Sequence, residues 1–171
     1  SQYSGVIWVD ATGKMSGTYS KNHLVLFGET IPLVHSLPWI SDIVPPGLGL
    51  DRGTDPERFD LNGISLMPNL CIETAVERIP VNHMHQLNSR ANPKLPDAIV
   101  TLTNDVWFHD SAVVDHHLRC AQLVAVGCRR PVLSAANGGP TVWIDSAGRV
   151  VERLEKGQSD VIYAQPRRDS R

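Results

Sequence analysis

Short apolar runs alternate with polar turns along the chain of 171 residues. The first two runs, "SGVIWVD" and "TYSK", are separated by "ATGKMSG", in which Thr12-Gly13 predicts a hairpin turn. The chain is therefore expected to open with a pair of antiparallel strands.

The next part of the chain is irregular. From residue 35 to residue 62 it is rich in proline and glycine, which indicates a long, lid-like loop. "GISLMPNLC" then predicts a strand, and Pro68 favours an edge position or a bulge because proline cannot donate a ladder hydrogen bond. The segment "ETAVERIPVNHMHQLNS" has helical composition, and Pro80 must start, kink or end that helix.

The longest helical segment is "SAVVDHHLRCAQLVAVGCR", in which apolar residues recur at helical spacing. This stripe consists of Val114, Leu118, Ala121, Ala125 and Cys128. Four further runs predict strands, with turns at 137–139 and 146–148: "DAIVTLTND", "PVLSAANGG", "TVWIDSAGRVVERL" and "DVIYAQ". This alternation of predicted strands and helices predicts an α/β fold, in which helices pack on a mixed sheet that contains antiparallel pairs.

Composition and charge narrow the class of protein. The chain is 42% hydrophobic and 20% charged, which fits one globular domain over residues 1–171. The formal net charge is −2 and basic residues cluster only in a tail at 165–171, which argues against nucleic acid as a partner. No run is long enough to span a membrane and no signal peptide opens the chain, so we expect the chain as given to be soluble.

Three cysteines are too few and too irregularly spaced for a disulfide framework or a zinc cluster. The neighbouring His116 and His117 diverge by about 100° on a helix and cannot share one ion. We expect neither a metal site nor another cofactor.

Cys71 is the first candidate for chemistry, because it lies where a strand ends and a helical segment begins. Thr74-x-x-Glu77 after it has the form of a capping box, and a thiol at a helix N-terminus is favoured as the reactive thiolate. The alternative is a small, inert core residue, an interpretation that also fits Cys120 and Cys128.

Lys21 and Glu29 bracket the apolar run of "KNHLVLFGE". The lysine could stabilise a thiolate, or the oxyanion that forms when a thiolate attacks a carbonyl, and Glu29 could fold back to hold the ammonium group. Taken alone, the two residues are more simply interpreted as ordinary surface charges.

Trp107 and Phe108 follow a strand, in a loop where aromatic rings could cover an apolar ligand or simply fill the core. Asn104 and Asp105 precede them and are expected to orient that loop. We take Trp107, Phe108 and Asn104 as candidate substrate-binding residues.

Five segments resemble, in order and spacing, the second half of the nitrilase (carbon-nitrogen hydrolase) fold: "YSKNHLVLFGETIPL", "NLCIETAVE", "LTNDVWFHDS", "HHLRCAQLVAVGCRRPVLSAANGG" and "VWIDSAGRVV". The resemblance covers about Gly5 to Leu154. Within the family, the sequence resembles the apolipoprotein N-acyltransferases more specifically, mainly through "KNHLVLFGE" and "TNDVWF". It implies a partial carbon-nitrogen hydrolase domain, the second half of an α-β-β-α sandwich.

The family uses a Glu-Lys-Cys triad, and the resemblance assigns roles by position. Cys71 matches the nucleophile, Lys21 the lysine that stabilises the tetrahedral intermediate, Glu29 a second, supporting glutamate, and Glu73 the acidic residue just beyond the nucleophile. The family's base glutamate lies upstream of the lysine, but no glutamate precedes Lys21 here. We therefore expect this chain alone to be catalytically incompetent, and labelling of Cys71 by iodoacetamide at the rate of an activated cysteine would contradict that.

Other positions depart from the family pattern. Val124 and Gly127 stand where the long helix usually carries an arginine and a glutamate, Ser134 replaces an arginine, and Ile72 replaces a tyrosine. These changes affect residues that would support the site, and they leave the nucleophile itself unchanged.

The resemblance implies transfer of an acyl group from a phospholipid donor to the N-terminal amine of a lipoprotein acceptor, through a thioester on the cysteine. The parent protein would lie in the bacterial inner membrane, with this domain on the periplasmic side. Two alternatives stay open: a soluble carbon-nitrogen hydrolase with water as acceptor, and a non-catalytic nitrilase-like binding domain. Half a sandwich would also expose a sheet edge, which makes a homo-oligomer conceivable.

Overall fold

The computed structural model describes residues 2–31, 49–108 and 111–166. Its contacts divide the chain into two compact units, residues 1–55 and 56–171. Half of the lid-like loop predicted at 35–62 (residues 35–48) and most of the tail predicted at 165–171 lie outside the described residues.

The first unit contains the predicted antiparallel pair, β1 (Gly5–Val9) and β2 (Met15–Ser20). Asp10 holds the connecting turn, since its Oδ1 accepts hydrogen bonds from the Thr12 hydroxyl at 2.6 Å and the Thr12 backbone N–H at 2.8 Å. These bonds stabilise the ionised carboxylate, so they lower the pKa of Asp10 below its usual value. The turn contains Gly13 at φ 82°, a conformation that favours glycine.

The second unit is built on a six-stranded mixed sheet with the strand order β3-β4-β5-β6-β7-β8. The strands are β3 (Phe59–Leu61), β4 (Ile64–Leu70), β5 (Ala98–Asn104), β6 (Val132–Asn137), β7 (Thr141–Ile144) and β8 (Val150–Leu154). Strands β4, β5 and β6 run parallel, whereas β3, β7 and β8 each join an antiparallel neighbour. The α/β prediction and the two predicted hairpin turns are confirmed.

Two α-helices connect the parallel strands, as parallel pairing requires. Helix α1 (Arg78–Asn88) carries Pro80 in its first turn, where proline is tolerated, so the helix starts there rather than kinking. Helix α2 (Ala112–Cys128) ends at Arg129, which has the left-handed φ of 51°. Among the described residues, neither helix is long and apolar enough to cross a membrane.

The core lies between these helices and one face of the sheet. Strand pairing places Met67, Ile99, Val132 and Ile144 in one row across β4 to β7, and each is fully buried. Residues paired across strands share a face of the sheet, which gives the helices one continuous apolar surface. The predicted stripe of α2 meets this row through Ala121, Ala125 and Cys128.

Two predictions about strands were wrong, and one about Pro68 holds. β3 lies inside the segment that the sequence assigned to a loop, and three residues are too few to show an alternating pattern. The run "DVIYAQ" forms no strand, and Val161 and Tyr163 are largely exposed. The edge position predicted at Pro68 agrees with the structure, because β3 pairs only with residues 64–66 and Pro68 has a described strand partner on the β5 side alone.

Burial of His83 on α1 predicts a stability that depends on pH. The side chain is 4% exposed, and desolvation lowers the pKa of His83 to about 4. Below pH 6.5 the unfolded chain therefore binds a proton that the folded chain excludes until about pH 4, so stability falls as the pH falls. Acidification from pH 7.5 to pH 5 is expected to cost roughly 2 kcal/mol through this residue.

Urea unfolding of His83→Gln at the two pH values, beside the wild type, measures this effect. The variant should lose less stability on acidification, whereas His85→Gln, at an exposed position of the same helix, should behave like the wild type. Equal losses in the wild type and His83→Gln would contradict the prediction.

Candidate active site around Cys71

A row of buried polar side chains lies next to the apolar row of the sheet, toward the carboxyl ends of the parallel strands. Asn69, Thr101 and Ser134 are cross-strand partners and lie two residues beyond Met67, Ile99 and Val132. Because side chains alternate with a period of two, both rows face the helices. Ligand sites of α/β proteins form at this edge of a parallel sheet.

Cys71 follows β4 directly and opens a 3-10 helix, Cys71–Ala75. Its φ of 48° is a left-handed conformation, which is uncommon for a residue with a side chain and often marks a functional turn. A strained turn from strand to helix is also the way in which nucleophile elbows present a reactive side chain. The side chain is half-buried.

Glu73 is fully buried, and its Oε2 accepts a hydrogen bond from the Leu70 backbone N–H at 2.8 Å. It therefore caps the short helix and helps to fix the backbone around Cys71. The predicted capping box of Thr74 and Glu77 is wrong. Thr74 lies inside the 3-10 helix and accepts a hydrogen bond from Asn69 Nδ2 at 2.8 Å.

A small cavity of about 20 Å³ begins at Cys71 and extends between the sheet and α2. Its polar lining consists of Cys71, Thr74, Thr101, Thr103, His117 and Ser134, with Asp105 beside them. All of these residues belong to the second unit. The structure thus places the candidate nucleophile in the wall of a cavity that is rich in hydroxyl groups.

In the first unit, Lys21 forms a close ion pair with Glu29. The ammonium Nζ lies 2.8 Å from Oε1 and 2.7 Å from Oε2, and the Lys21 side chain is 2% exposed. Glu29 Oε2 also accepts a hydrogen bond from the Val25 backbone N–H at 2.8 Å. The predicted contact is confirmed, and the alternative of two ordinary surface charges does not fit a buried lysine. The sharing of one cleft by Lys21 and Cys71 stays a prediction.

The predicted substrate-binding residues lie at the carboxyl end of β5. Trp107 is 79% exposed and therefore does not fill the core, whereas Phe108 packs edge-on against His117, with ring centroids 5.5 Å apart. Asn104 Oδ1 accepts a hydrogen bond from Asn137 Nδ2 at 3.3 Å. Their role in binding a substrate stays a prediction.

Asp105 and His117 form a buried pair that was not predicted from the sequence. His117 Nδ1 lies 2.9 Å from Asp105 Oδ1. The pattern did carry a signal, because His117 falls between Val114 and Ala121 on the apolar stripe of α2, where a polar group needs a partner. What the pattern lacked was the register that brings the end of β5 beside that turn of the helix.

The three cysteines are expected to differ strongly in reactivity. Burial raises the pKa of the Cys120 thiol, helped by the negative charge of Glu77, and raises that of Cys128 to about 11. At pH 8 only about one Cys128 thiol in a thousand is then ionised. Iodoacetamide should modify half-buried Cys71 at least about tenfold faster than either of the others.

Peptide mass spectrometry over a time course of labelling measures the three rates, and a Cys71→Ser variant serves as control. Loss of the fast phase in the variant is the expected result. Labelling of Cys128 as fast as Cys71 in the wild type would show that the second unit does not bury its thiols as described.

The carbon-nitrogen hydrolase family profile matches residues 1–170 of the chain. The chain belongs to the carbon-nitrogen hydrolase family. Membership accounts for the α/β architecture of helices on a mixed sheet.

Relatives within the family are apolipoprotein N-acyltransferases. The chain is 95% identical over 171 residues to the apolipoprotein N-acyltransferase of Rhodopirellula baltica. The match covers 100% of this chain and 30% of the relative. The chain is 32% identical over 149 residues to the apolipoprotein N-acyltransferase of Haemophilus ducreyi. This match covers 86% of this chain and 28% of the relative. The chain thus spans less than a third of the length of these relatives.

Solved structures of the family share the fold. A carbon-nitrogen hydrolase superfamily protein from Xanthomonas campestris superimposes with a TM-score of 0.65 at 16% identity, covering 92% of this chain and 54% of the other. Nit3 of Saccharomyces cerevisiae superimposes with a TM-score of 0.61 at 15% identity, and the match covers 92% of this chain and 51% of Nit3. The nitrilase-like fold class predicted from sequence is confirmed.

Proposed function

We propose that this chain is the nucleophile-bearing part of a lipoprotein N-acyltransferase. The observation that carries the proposal is the 95% identity, over every residue of the chain, to an apolipoprotein N-acyltransferase. The geometry of Cys71 supports it, since a left-handed cysteine at the carboxyl end of a parallel strand presents its sulfur at the edge where α/β proteins bind ligands. A soluble amide hydrolase has weaker support, because the solved relatives share only the fold.

The reaction would take place in two acyl transfers. In the first, the Cys71 thiolate attacks an ester carbonyl of a phospholipid, the ester C–O bond breaks, and the lysophospholipid leaves as an alcohol after gaining a proton. In the second, the N-terminal amine of a lipoprotein attacks the thioester carbonyl, the C–S bond breaks, and the thiol is restored as the amide forms. Both steps pass through an oxyanion that needs a positive partner.

Lys21 would supply that partner, and the ion pair with Glu29 supports this role. The carboxylate contacts the ammonium through both oxygens and thereby fixes the position of a buried positive charge. Glu73 would act through the backbone, by capping the turn that carries Cys71. Removal of the thiol proton needs a base, and no glutamate precedes Lys21, so we propose that the base comes from outside these 171 residues.

The substrates and the location follow from the same proposal. The acyl donor is a phospholipid and the acceptor is a lipoprotein, and the whole protein works at the bacterial inner membrane with this domain on the periplasmic side. Trp107 follows β5 and is exposed, which supports a role for this ring in contacting an apolar acyl chain.

Trapping of the thioester tests the proposal. The protein would be a full-length chimera in which this chain replaces the matching segment of the Rhodopirellula baltica enzyme. Phospholipid with a radiolabelled acyl chain, supplied without an acceptor, should leave label on Cys71 that hydroxylamine releases. The 171-residue chain alone should remain unlabelled because it lacks the base.

Cys71→Ser is the critical variant and Cys120→Ser its matched control, since Cys120 is buried at 8% exposure. Label that persists in Cys71→Ser, or a competent chimera without any thioester, would reject the proposal. Thioester formed by the isolated chain would show that the base lies within it.

A further inference from the structure

Asp105 and His117 are buried and have no part in the acyl-transfer steps proposed above. Their exposed fractions are 2% and 7%, and His117 Nδ1 lies 2.9 Å from Asp105 Oδ1. Asp105 follows β5 and His117 lies on α2, so this contact joins the carboxyl edge of the sheet to the helix above it.

The Asp105 carboxylate is fixed from several sides. The Thr103 hydroxyl donates a hydrogen bond of 2.8 Å to Oδ1, and the backbone N–H of Asp105 donates one of 2.8 Å to the Asn137 carbonyl. Gly139 lies so close that a methyl group there would collide with Oδ2. The carboxylate therefore has one available orientation.

A fixed carboxylate also sets the tautomer of His117. An ionised carboxylate can only accept, so Nδ1 carries the proton of this bond, and Nε2 is the ring nitrogen left for another partner. Phe108 packs at 83° against the imidazole and restricts its rotation. One ring nitrogen is thus engaged and the other is held in a constant position.

The imidazole and Cys71 line the same cavity. Its volume of about 20 Å³ is enough for one water molecule. The hydroxyl groups of Thr101, Thr103 and Ser134 line it as well, so a hydrogen-bonded chain has partners there.

We propose that His117 is a positioning residue for Cys71. Asp105 holds Nδ1, while Nε2 forms a hydrogen bond inside the cavity, with the Cys71 sulfur itself or with one water molecule bonded to that sulfur. Without Nε2 the sulfur would lie in more apolar surroundings, which disfavour the thiolate. The inference rests on the proposed function only in taking Cys71 as the nucleophile.

Two matched substitutions separate the two ring nitrogens. His117→Asn places an amide nitrogen where Nδ1 stands, so it keeps a bond to Asp105 and removes Nε2. His117→Gln places polar atoms near Nε2 and gives up that bond. In the full 171-residue chain, we expect H117N to be about as stable as the wild type, with iodoacetamide labelling of Cys71 about five- to tenfold slower, the effect of one lost hydrogen bond. H117Q should be less stable and label at close to the wild-type rate.

An H117N protein with wild-type stability and a wild-type labelling rate would overturn the proposal, since it would leave His117 with a purely structural role.

Imidazole ¹⁵N resonances of the wild type give a second test that needs no variant to fold. On carboxamidomethylation of Cys71 the Nε2 resonance of His117 should move, and an unmoved resonance would overturn the proposal. Alkylation involves no acyl transfer, so this outcome is independent of whether the thioester forms.

Discussion

Replacement of Glu29 with glutamine is expected to destabilise the first unit by about 3 kcal/mol, the lower end of the cost of removing one member of a buried ion pair. Lys21 is 2% exposed and Glu29 is 22% exposed, so the ammonium would lose a charged partner while it stays buried. The glutamine side chain would keep one acceptor oxygen for the Lys21 ammonium group. Its NH₂ group would face the same positive charge in place of the second carboxylate oxygen. The hydrogen bond from the Val25 N–H, at 2.8 Å, would also weaken.

Hydrogen exchange in urea, resolved to the amides of β1, β2 and Val25, measures this loss in the first unit alone. The double variant Lys21→Met, Glu29→Gln is the matched control, because it removes the buried charge together with its partner and should recover at least about half of the loss. In the full-length chimera, E29Q should also slow acyl transfer about a hundredfold through a misplaced oxyanion partner. A loss of less than about 0.5 kcal/mol in E29Q would contradict the burial of Lys21.

Gly139→Ala should destabilise the second unit by about 3 kcal/mol, as overpacking of a rigid site does. The added methyl group would overlap Asp105 Oδ2 and approach Asp105 Cβ and Cγ to 3.2 Å. Asp105 cannot rotate away without giving up its bonds to Thr103 and His117, at 2.8 and 2.9 Å. The substitution should therefore also disturb the cavity at Cys71.

Gly127→Ala is the matched control for this experiment. Gly127 is exposed on α2, and a methyl group there would meet only the Val81 side chain, at an ordinary 3.6 Å. Alanine is favoured over glycine inside a helix by up to about 1 kcal/mol, so this variant should gain stability. Urea unfolding of both variants gives the comparison, and equal effects would contradict the close packing at Gly139.

Local chemistry in the sequence was enough to predict several features. The Thr12-Gly13 turn, the apolar stripe of α2 and the pairing of Lys21 with Glu29 depend on residues that are close along the chain. Each signal involves either a fixed helical or turn geometry or two charges that need each other. The family resemblance added Cys71 as the candidate nucleophile, and the structure places this residue directly after β4.

Features that depend on long-range pairing could not be predicted in this way. The contact of Asp105 with His117 requires the register of β5 and the placement of α2, neither of which is encoded locally. β3 gained its structure only from its neighbour β4, and "DVIYAQ" has strand composition without a partner among the described residues. Propensity is a weak guide wherever tertiary contacts decide the outcome.

The polar row of the sheet has a consequence for protein engineering. Ser134 is 9% exposed and lies where an apolar side chain would pack well against Val142 and Ala121, which line the same space. Directed evolution for heat resistance alone would favour larger apolar residues at that position, because filling a void commonly adds stability. Such a selection would gradually close the space beside Cys71, so thermostable descendants should be screened for reactivity of this thiol in every round.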